Sequence, residues 1–164
     1  MRFAYFETNI HKSQIMRKRF DPQFQIGIKP ISETIIPKSR DSLAALLAAL
    51  KEIFVNEHWN NKVFEILENK ITFGKKKTGR NGMDLWHIFV MAQVRLCLDI
   101  SYDRLHDLSN HHSLIRQIMG VETEFGYEKI KFEYQNILDN VSLLDDVTVK
   151  KLNEVILESG HEVF

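Results

Sequence analysis

The chain has 164 residues, of which 44% are hydrophobic and 27% are charged, and these values are typical of one globular domain with a sizeable core. They exclude wholesale disorder. Its formal net charge is zero, which taken alone argues against nucleic-acid binding, so the distribution of charge along the chain decides the question.

Charge is distributed unevenly. Residues 1–40 contain eight Lys or Arg and three acids, and residues 75–80 contain four cations and no acid. Residues 121–164 contain ten acids and four lysines, which cancel the basic segments in the total. The chain is therefore polarised, with two basic segments and an acidic C-terminal part.

The only cysteine is Cys97, so the chain can build neither an internal disulfide framework nor a thiolate metal cluster. Residues 1–10 mix aromatic and charged side chains, and no apolar run there is long enough for a signal peptide. We therefore expect a cytoplasmic protein.

Residues 1–37 predict an extended basic arm, because they show no sustained hydrophobic period and contain all three prolines. The isoleucines of this arm either pair as short extended pieces or lie against a partner subunit; they are Ile26, Ile28, Ile35 and Ile36. Arg17, Lys18 and Arg19 form its charge cluster. The cluster either contacts DNA phosphates or is a solvated charge run.

Residues 38–164 predict a helical domain. Ser39 or Asp41 caps a first core helix, whose apolar positions recur every three or four residues: Leu43, Leu46, Leu47, Leu50, Ile53 and Phe54. A second helix follows Trp59 and Asn60 and should form an antiparallel hairpin with the first.

Residues 73–82 predict a turn rich in glycine and in cations. The spacing of its glycines resembles a P-loop, but Arg80 and Asn81 occupy the positions that need Lys and a hydroxyl residue, which excludes nucleotide binding. We interpret the four cations of this turn as contacts to the phosphate backbone of DNA, with a solvated linker as the alternative. They are Lys75, Lys76, Lys77 and Arg80.

Residues 85–98 predict a helix that is buried on all sides, because its only strongly polar side chains are His87, Gln93 and Arg95. The run is shorter than the roughly 20 apolar residues that cross a bilayer, and Arg95 interrupts it. A membrane span is excluded.

Two shorter helices follow. Ser101 caps the first, over residues 102–109, and Asn110 or His112 starts the second, which Gly120 ends. Three helices with short turns are compatible with a helix-turn-helix. Arg104, Arg116 and Gln117 then suit contacts to base edges, and His112 a DNA-facing position. The alternative is a helix that closes the core and uses Arg116 for an ion pair.

Beyond Gly120 we expect a short acidic loop over residues 122–126 and then a helix. The apolar stripe of that helix comprises Tyr127, Ile130, Tyr134, Ile137, Leu138 and Val141. Asp145 or Asp146 caps the last helix, and Gly160 ends it.

No cofactor is expected. His106, His111 and His112 have the wrong spacing for a closed zinc site. Asp99, Asp103 and Asp107 recur every four residues, but Ser101 interrupts the helix between them, and a solvated helix surface explains them better than a two-metal site.

One run of residues resembles the N-terminal domain of bacterial insertion-sequence transposases of the DDE type. The pattern is Gly79-Arg80-x-Gly82-Met83-Asp84-Leu85-Trp86, then Tyr102-Asp103-Arg104-Leu105, Leu114-Ile115-Arg116-Gln117, Met119-Gly120, Asp139-Asn140-Val141-Ser142-Leu143-Leu144-Asp145 and Gly160-His161. It covers about residues 28–164.

The resemblance implies binding to double-stranded DNA at transposon ends and assembly into a homo-oligomer. It also implies a later catalytic domain, which holds the divalent metal and before which we expect this chain to stop, so no residue here is expected to be catalytic. The alternative is an oligomerisation or inhibitory module that binds another transposase subunit and contacts DNA only incidentally.

Overall fold

The computed structural model describes residues 17–20, 26–74 and 82–160. Within these ranges it contains seven α-helices and one short 3-10 helix, Ile31–Glu33. The helices are α1 (Ser42–Val55), α2 (Glu57–Ile71), α3 (Leu85–Leu98), α4 (Tyr102–His111), α5 (Ser113–Met119), α6 (Tyr134–Val141) and α7 (Asp146–Glu158). The predicted all-α class is confirmed.

Helix α3 is the centre of the bundle. Residues 85–94 are all buried, and the helix packs against α1, α2, α4, α5 and α6. The indole Nε1 of Trp86 donates a hydrogen bond to the carbonyl O of Ile118 at 2.8 Å, which joins the start of α3 to the end of α5. The prediction of a buried core helix is confirmed for residues 85–94, whereas Leu96 in the last turn is 44% exposed.

Several helix ends lie where their capping residues predicted them. Asp41, Ser101 and Asp145 each accept a hydrogen bond from a backbone N–H in the first turn of the following helix. Gly120 ends α5 in the left-handed conformation, at φ 72°. These caps need only neighbours in sequence, which is why the sequence is sufficient to locate them.

Helix α2 begins earlier than predicted, at Glu57. The side chain of Asn56 accepts hydrogen bonds from the amides of His58 and Trp59, and this cap places the first turn ahead of Trp59. Asn56 is also the only residue between α1 and α2, which pack against each other.

Residues 127–133 are not helical, so the predicted stripe from Tyr127 is wrong in its first half and α6 begins at Tyr134. The side chain of Asn110 bonds both backbone groups of Phe132. Because those groups are bonded to a side chain of α4, they are not available for the hydrogen bonds of a helix.

The described residues of the arm lie on the helical body. Ile28 forms an isolated antiparallel bridge with Thr123, and Ile31 and Thr34 are buried. The Nζ of Lys51 on α1 donates to the carbonyl O of Thr34 at 2.7 Å. Among the described residues, no helix has both the length and the apolar character that crossing a bilayer requires.

Candidate nucleic-acid interface

Residues 17–20, which we call the strap, cover the N-terminal end of α3. The amide of Leu85 donates to the carbonyl O of Lys18 at 3.0 Å, and the amide of Trp86 donates to the carbonyl O of Arg19 at 2.9 Å. A helix leaves its first amides without partners inside the helix, and the strap supplies acceptors for two of them. The basic cluster of the arm is therefore attached to the most buried helix of the fold.

The side chain of Arg17 is hydrogen-bonded to the helical body. Its Nη1 donates to Oδ1 of Asn140 on α6 and, at 3.5 Å, to the carbonyl O of Met83. Gly82 makes room for this side chain, because a Cβ there would lie 2.9 Å from the guanidinium carbon. Desolvation by burial lowers the pKa of Arg17 from its ordinary value. Arg17 is thus a structural link between the strap and α6.

Arg19 lies on the surface of α2. Its Nε and Nη2 donate to the two carboxylate oxygens of Glu68 at 2.6 and 3.1 Å, and its Nη1 donates to Oδ1 of Asn61 at 3.0 Å. The guanidinium also lies over the ring of Phe64, 5.4 Å from its centre. Lys18, between the two arginines, is exposed.

Phe20 completes the strap by packing into the body. Its ring meets the ring of Phe54 edge-on at 5.2 Å and that of His87 at 6.0 Å. His87 is buried, with Nε2 2.9 Å from the carbonyl O of Met119. Desolvation lowers its pKa from the ordinary value, although Asp84 and the bond to Met119 act in the opposite direction.

The four cations of the basic turn, Lys75, Lys76, Lys77 and Arg80, lie outside the described residues. In the sequence, Arg80 precedes Gly82 by two residues, and Gly82 contacts Arg17 of the strap. Of the two basic segments, which are about sixty residues apart in the chain, the strap is attached to the start of α3, and residues 75–80 precede that helix in the sequence.

The structure corrects the prediction that Arg116 reads bases. Its side chain has 0% exposure, and its Nε pairs with Glu122 at 3.0 Å. Its two other nitrogens each donate at 3.0 Å to a carbonyl O, one of Ser109 and one of Val121. A guanidinium with all three nitrogens engaged inside the protein cannot reach the DNA, so the alternative, an ion pair that closes the core, is the observed one.

The other residues predicted to contact DNA near α5 do not form a basic surface. Arg104 pairs with Asp107 at 2.6 Å, and Gln117 donates to the hydroxyl of Ser113 at 3.0 Å. His112 caps α5, with its Nδ1 accepting from the amide of Ile115 at 3.3 Å. The exposed side of α4 also carries Asp103, whose charge repels phosphate.

Sequence reasoning missed Asn61, Glu68 and Asn140 as partners of the strap. Asn140 is part of the run that carries the resemblance, but nothing near it in sequence indicates an arginine partner. Of the histidines and aspartates considered for metal binding, His111 and Asp107 lie close together, with 3.3 Å between Nδ1 and Oδ1. Within the described ranges, no group of three His, Cys, Asp or Glu side chains is placed to hold a metal ion.

No protein-family model, no curated protein and no solved structure matches this chain.

Proposed function

We propose that residues 1–164 form the DNA-binding and subunit-assembly module of a DDE-type transposase, which recognises transposon ends in the cytoplasm and does not itself catalyse strand cleavage. Two features support this proposal. One is the residue pattern described above, which extends over most of the chain. The other is the position of the strap in the fold.

The strap is the single observation that carries the proposal. The amides of Leu85 and Trp86 donate hydrogen bonds to the carbonyl groups of Lys18 and Arg19, and these bonds fix one basic segment at the start of α3. Residues 75–80 precede that helix in the sequence. Since α3 is the buried core helix, cations attached to its start have a rigid support. An exposed cation at this position, such as Lys18, favours a polyanion such as DNA.

The test is a salt titration of the affinity of the full chain for a random-sequence duplex. Each phosphate neutralised contributes roughly 0.9 to the slope of log affinity against log salt. Replacing Lys75, Lys76 and Lys77 together with Gln should therefore flatten the slope by about 2 to 3.

A matched control replaces Lys129, Lys150 and Lys151 with Gln, which removes the same charge from exposed positions elsewhere. Equal slopes for the two triple variants would show that net charge alone governs binding and would contradict a contact by residues 75–77. Absence of any duplex binding by the full chain at low salt would contradict the proposed function.

A second candidate is a module that binds another subunit, with incidental DNA contact. Ile28 forms a bridge with Thr123, and the amide of Glu124 donates to the carbonyl O of Gly27 at 2.9 Å. The two segments paired in this way each carry an exposed apolar side chain. Ile26 is 80% exposed and Phe125 is fully exposed. Exposed apolar side chains on two neighbouring segments favour a protein contact.

This second candidate predicts self-association of the full chain that is lost when Ile26 and Phe125 are both replaced with Ser. Sedimentation at several protein concentrations measures it. A monomer at every concentration would argue against this candidate and against the subunit-assembly part of the first proposal, and it would leave DNA binding as the function to test.

A further inference from the structure

The pair formed by Arg19 and Glu68 has the geometry of arginine bound to a phosphate group. Two nitrogens of the guanidinium face the two oxygens of one carboxylate, at 2.6 and 3.1 Å. A phosphodiester offers the same two-oxygen fork, so the arginine donors that match Glu68 also match a nucleic-acid backbone.

The pair is accessible from solvent. The side chain of Arg19 is 43% exposed and that of Glu68 is 36% exposed. Exposed ion pairs contribute little to stability, because water screens them and because two long side chains must be ordered. A polyanion can therefore replace the carboxylate without a large loss of folding free energy.

The backbone of the strap does not depend on this pair. Lys18 and Arg19 are held through their carbonyl groups by the amides of Leu85 and Trp86, and Arg17 is held by Asn140. The side chain of Arg19 is thus free to exchange its partner while the strap stays in place. Arg17 differs, because its guanidinium is bonded to Asn140 and Met83 in a half-buried position.

We propose that Glu68 occupies the phosphate-binding side of Arg19 as an internal substitute for a DNA phosphate, and that in the unaltered chain this pair keeps Arg19 from contacting the DNA backbone. This inference rests on the proposed DNA-binding function and adds a competition between a carboxylate of α2 and the ligand. Glu68 lowers the affinity for DNA in two ways, by occupying the donors of Arg19 and by repelling phosphate.

The experiment compares the full chain with Glu68→Gln in salt titrations against a random-sequence duplex. The control is Glu154→Gln, which removes one negative charge from an exposed position on α7. We expect Glu68→Gln to bind more tightly than Glu154→Gln and to steepen the slope of log affinity against log salt by about 0.9, the contribution of one added phosphate contact.

A double-variant cycle assigns the gain to Arg19. Arg19→Gln alone should change the slope little, because Arg19 is occupied by Glu68, and it should abolish the gain when combined with Glu68→Gln. Equal effects of Glu68→Gln and Glu154→Gln, or a gain that persists without Arg19, would overturn the inference.

The two proposals fail in different ways. If the unaltered chain binds duplex and Glu68→Gln behaves as the control does, the competition is absent and the DNA-binding function stands. If neither the unaltered chain nor any variant binds duplex at low salt, the DNA-binding function is absent and the inference fails with it. Circular dichroism and thermal unfolding of each variant verify that the bundle is intact in every comparison.

Discussion

The side-chain amide of Asn110 on α4 makes a reciprocal pair of hydrogen bonds with the backbone of Phe132. Its Nδ2 donates to the carbonyl O of Phe132 at 2.9 Å, and its Oδ1 accepts from the amide N of Phe132 at 2.8 Å. Both residues are buried, and the ring of Phe132 packs against His87 of α3 at 5.6 Å. One amide therefore fixes the irregular segment before α6 to the core.

Replacement of Asn110 with Ala should lower the free energy of unfolding by about 2 to 4 kcal/mol, because two buried backbone groups of Phe132 lose their partners. Urea denaturation measures this loss. Gln135→Ala, an exposed substitution on α6, is the control and should change stability by less than about 0.5 kcal/mol. A loss for Asn110→Ala no larger than that of the control would show that the segment is held by other contacts.

Gly120 should tolerate no side chain. Its φ of 72° is unfavourable for other residues, and a Cβ there would lie 2.8 Å from Cζ of Phe20 in the strap. We expect Gly120→Ala to lower the free energy of unfolding by about 2 to 4 kcal/mol, from backbone strain together with crowding of the ring.

Asp99 gives the matched comparison for Gly120. It ends α3 at a φ of 49°, and it is exposed. Because glycine adopts this conformation without strain, Asp99→Gly should leave stability within about 1 kcal/mol of the unaltered protein, or raise it. The same chemical unfolding experiment measures both variants. Similar losses at the two positions would contradict the assignment of the effect at Gly120 to strain and crowding.

His87 should make stability depend on pH. Burial lowers its pKa in the folded protein below the unfolded value of about 6.5, so the unfolded chain binds a proton more readily. The contribution of neutral His87 to stability is therefore complete above the unfolded pKa and is lost as the pH falls through it.

The measurement is the free energy of unfolding of the unaltered chain and of His87→Gln across this pH range. The difference between the two should shrink as the pH falls below about 6.5. Val147→Ala, an exposed substitution on α7 that removes no titratable group, is the control and should show a constant difference. A constant difference for His87→Gln as well would contradict a role of His87 in the pH dependence.

Arg116 should stabilise the folded protein. Removing its guanidinium leaves the carboxylate of Glu122 and the carbonyl groups of Ser109 and Val121 without their partner, so Arg116→Ala should lower the free energy of unfolding by about 3 kcal/mol. Arg104→Ala breaks an exposed pair with Asp107 and should cost less than about 1 kcal/mol.

Thermal unfolding ranks the two arginine variants. DNA affinity, measured at a temperature where both variants are folded, should not depend on Arg116. If folded Arg116→Ala lost the preference that the unaltered chain shows between duplex sequences, the conclusion that this buried side chain does not contact bases would be wrong.

The all-α class, most of the buried core helix and the ends at Ser101 and Gly120 were predicted from the sequence, which also offered Asp41 and Asp145 each as one of two candidate caps. These features are local, since a hydrophobic period and a capping side chain act over one or two helical turns. The extended N-terminal arm was also predicted from composition and its prolines. The attachment of this arm to the helical body was not predicted.

Which polar side chains are available to a ligand depends on how distant segments pack. Arg17 meets Asn140 across 123 positions in the sequence, Arg19 meets Glu68 across 49, and Asn110 meets Phe132 across 22. Arg116, predicted to reach DNA, is turned inward to Glu122 and two carbonyl groups. A charged side chain has the same local pattern whether it faces water, DNA or a buried partner, so only the packing of distant segments distinguishes these cases.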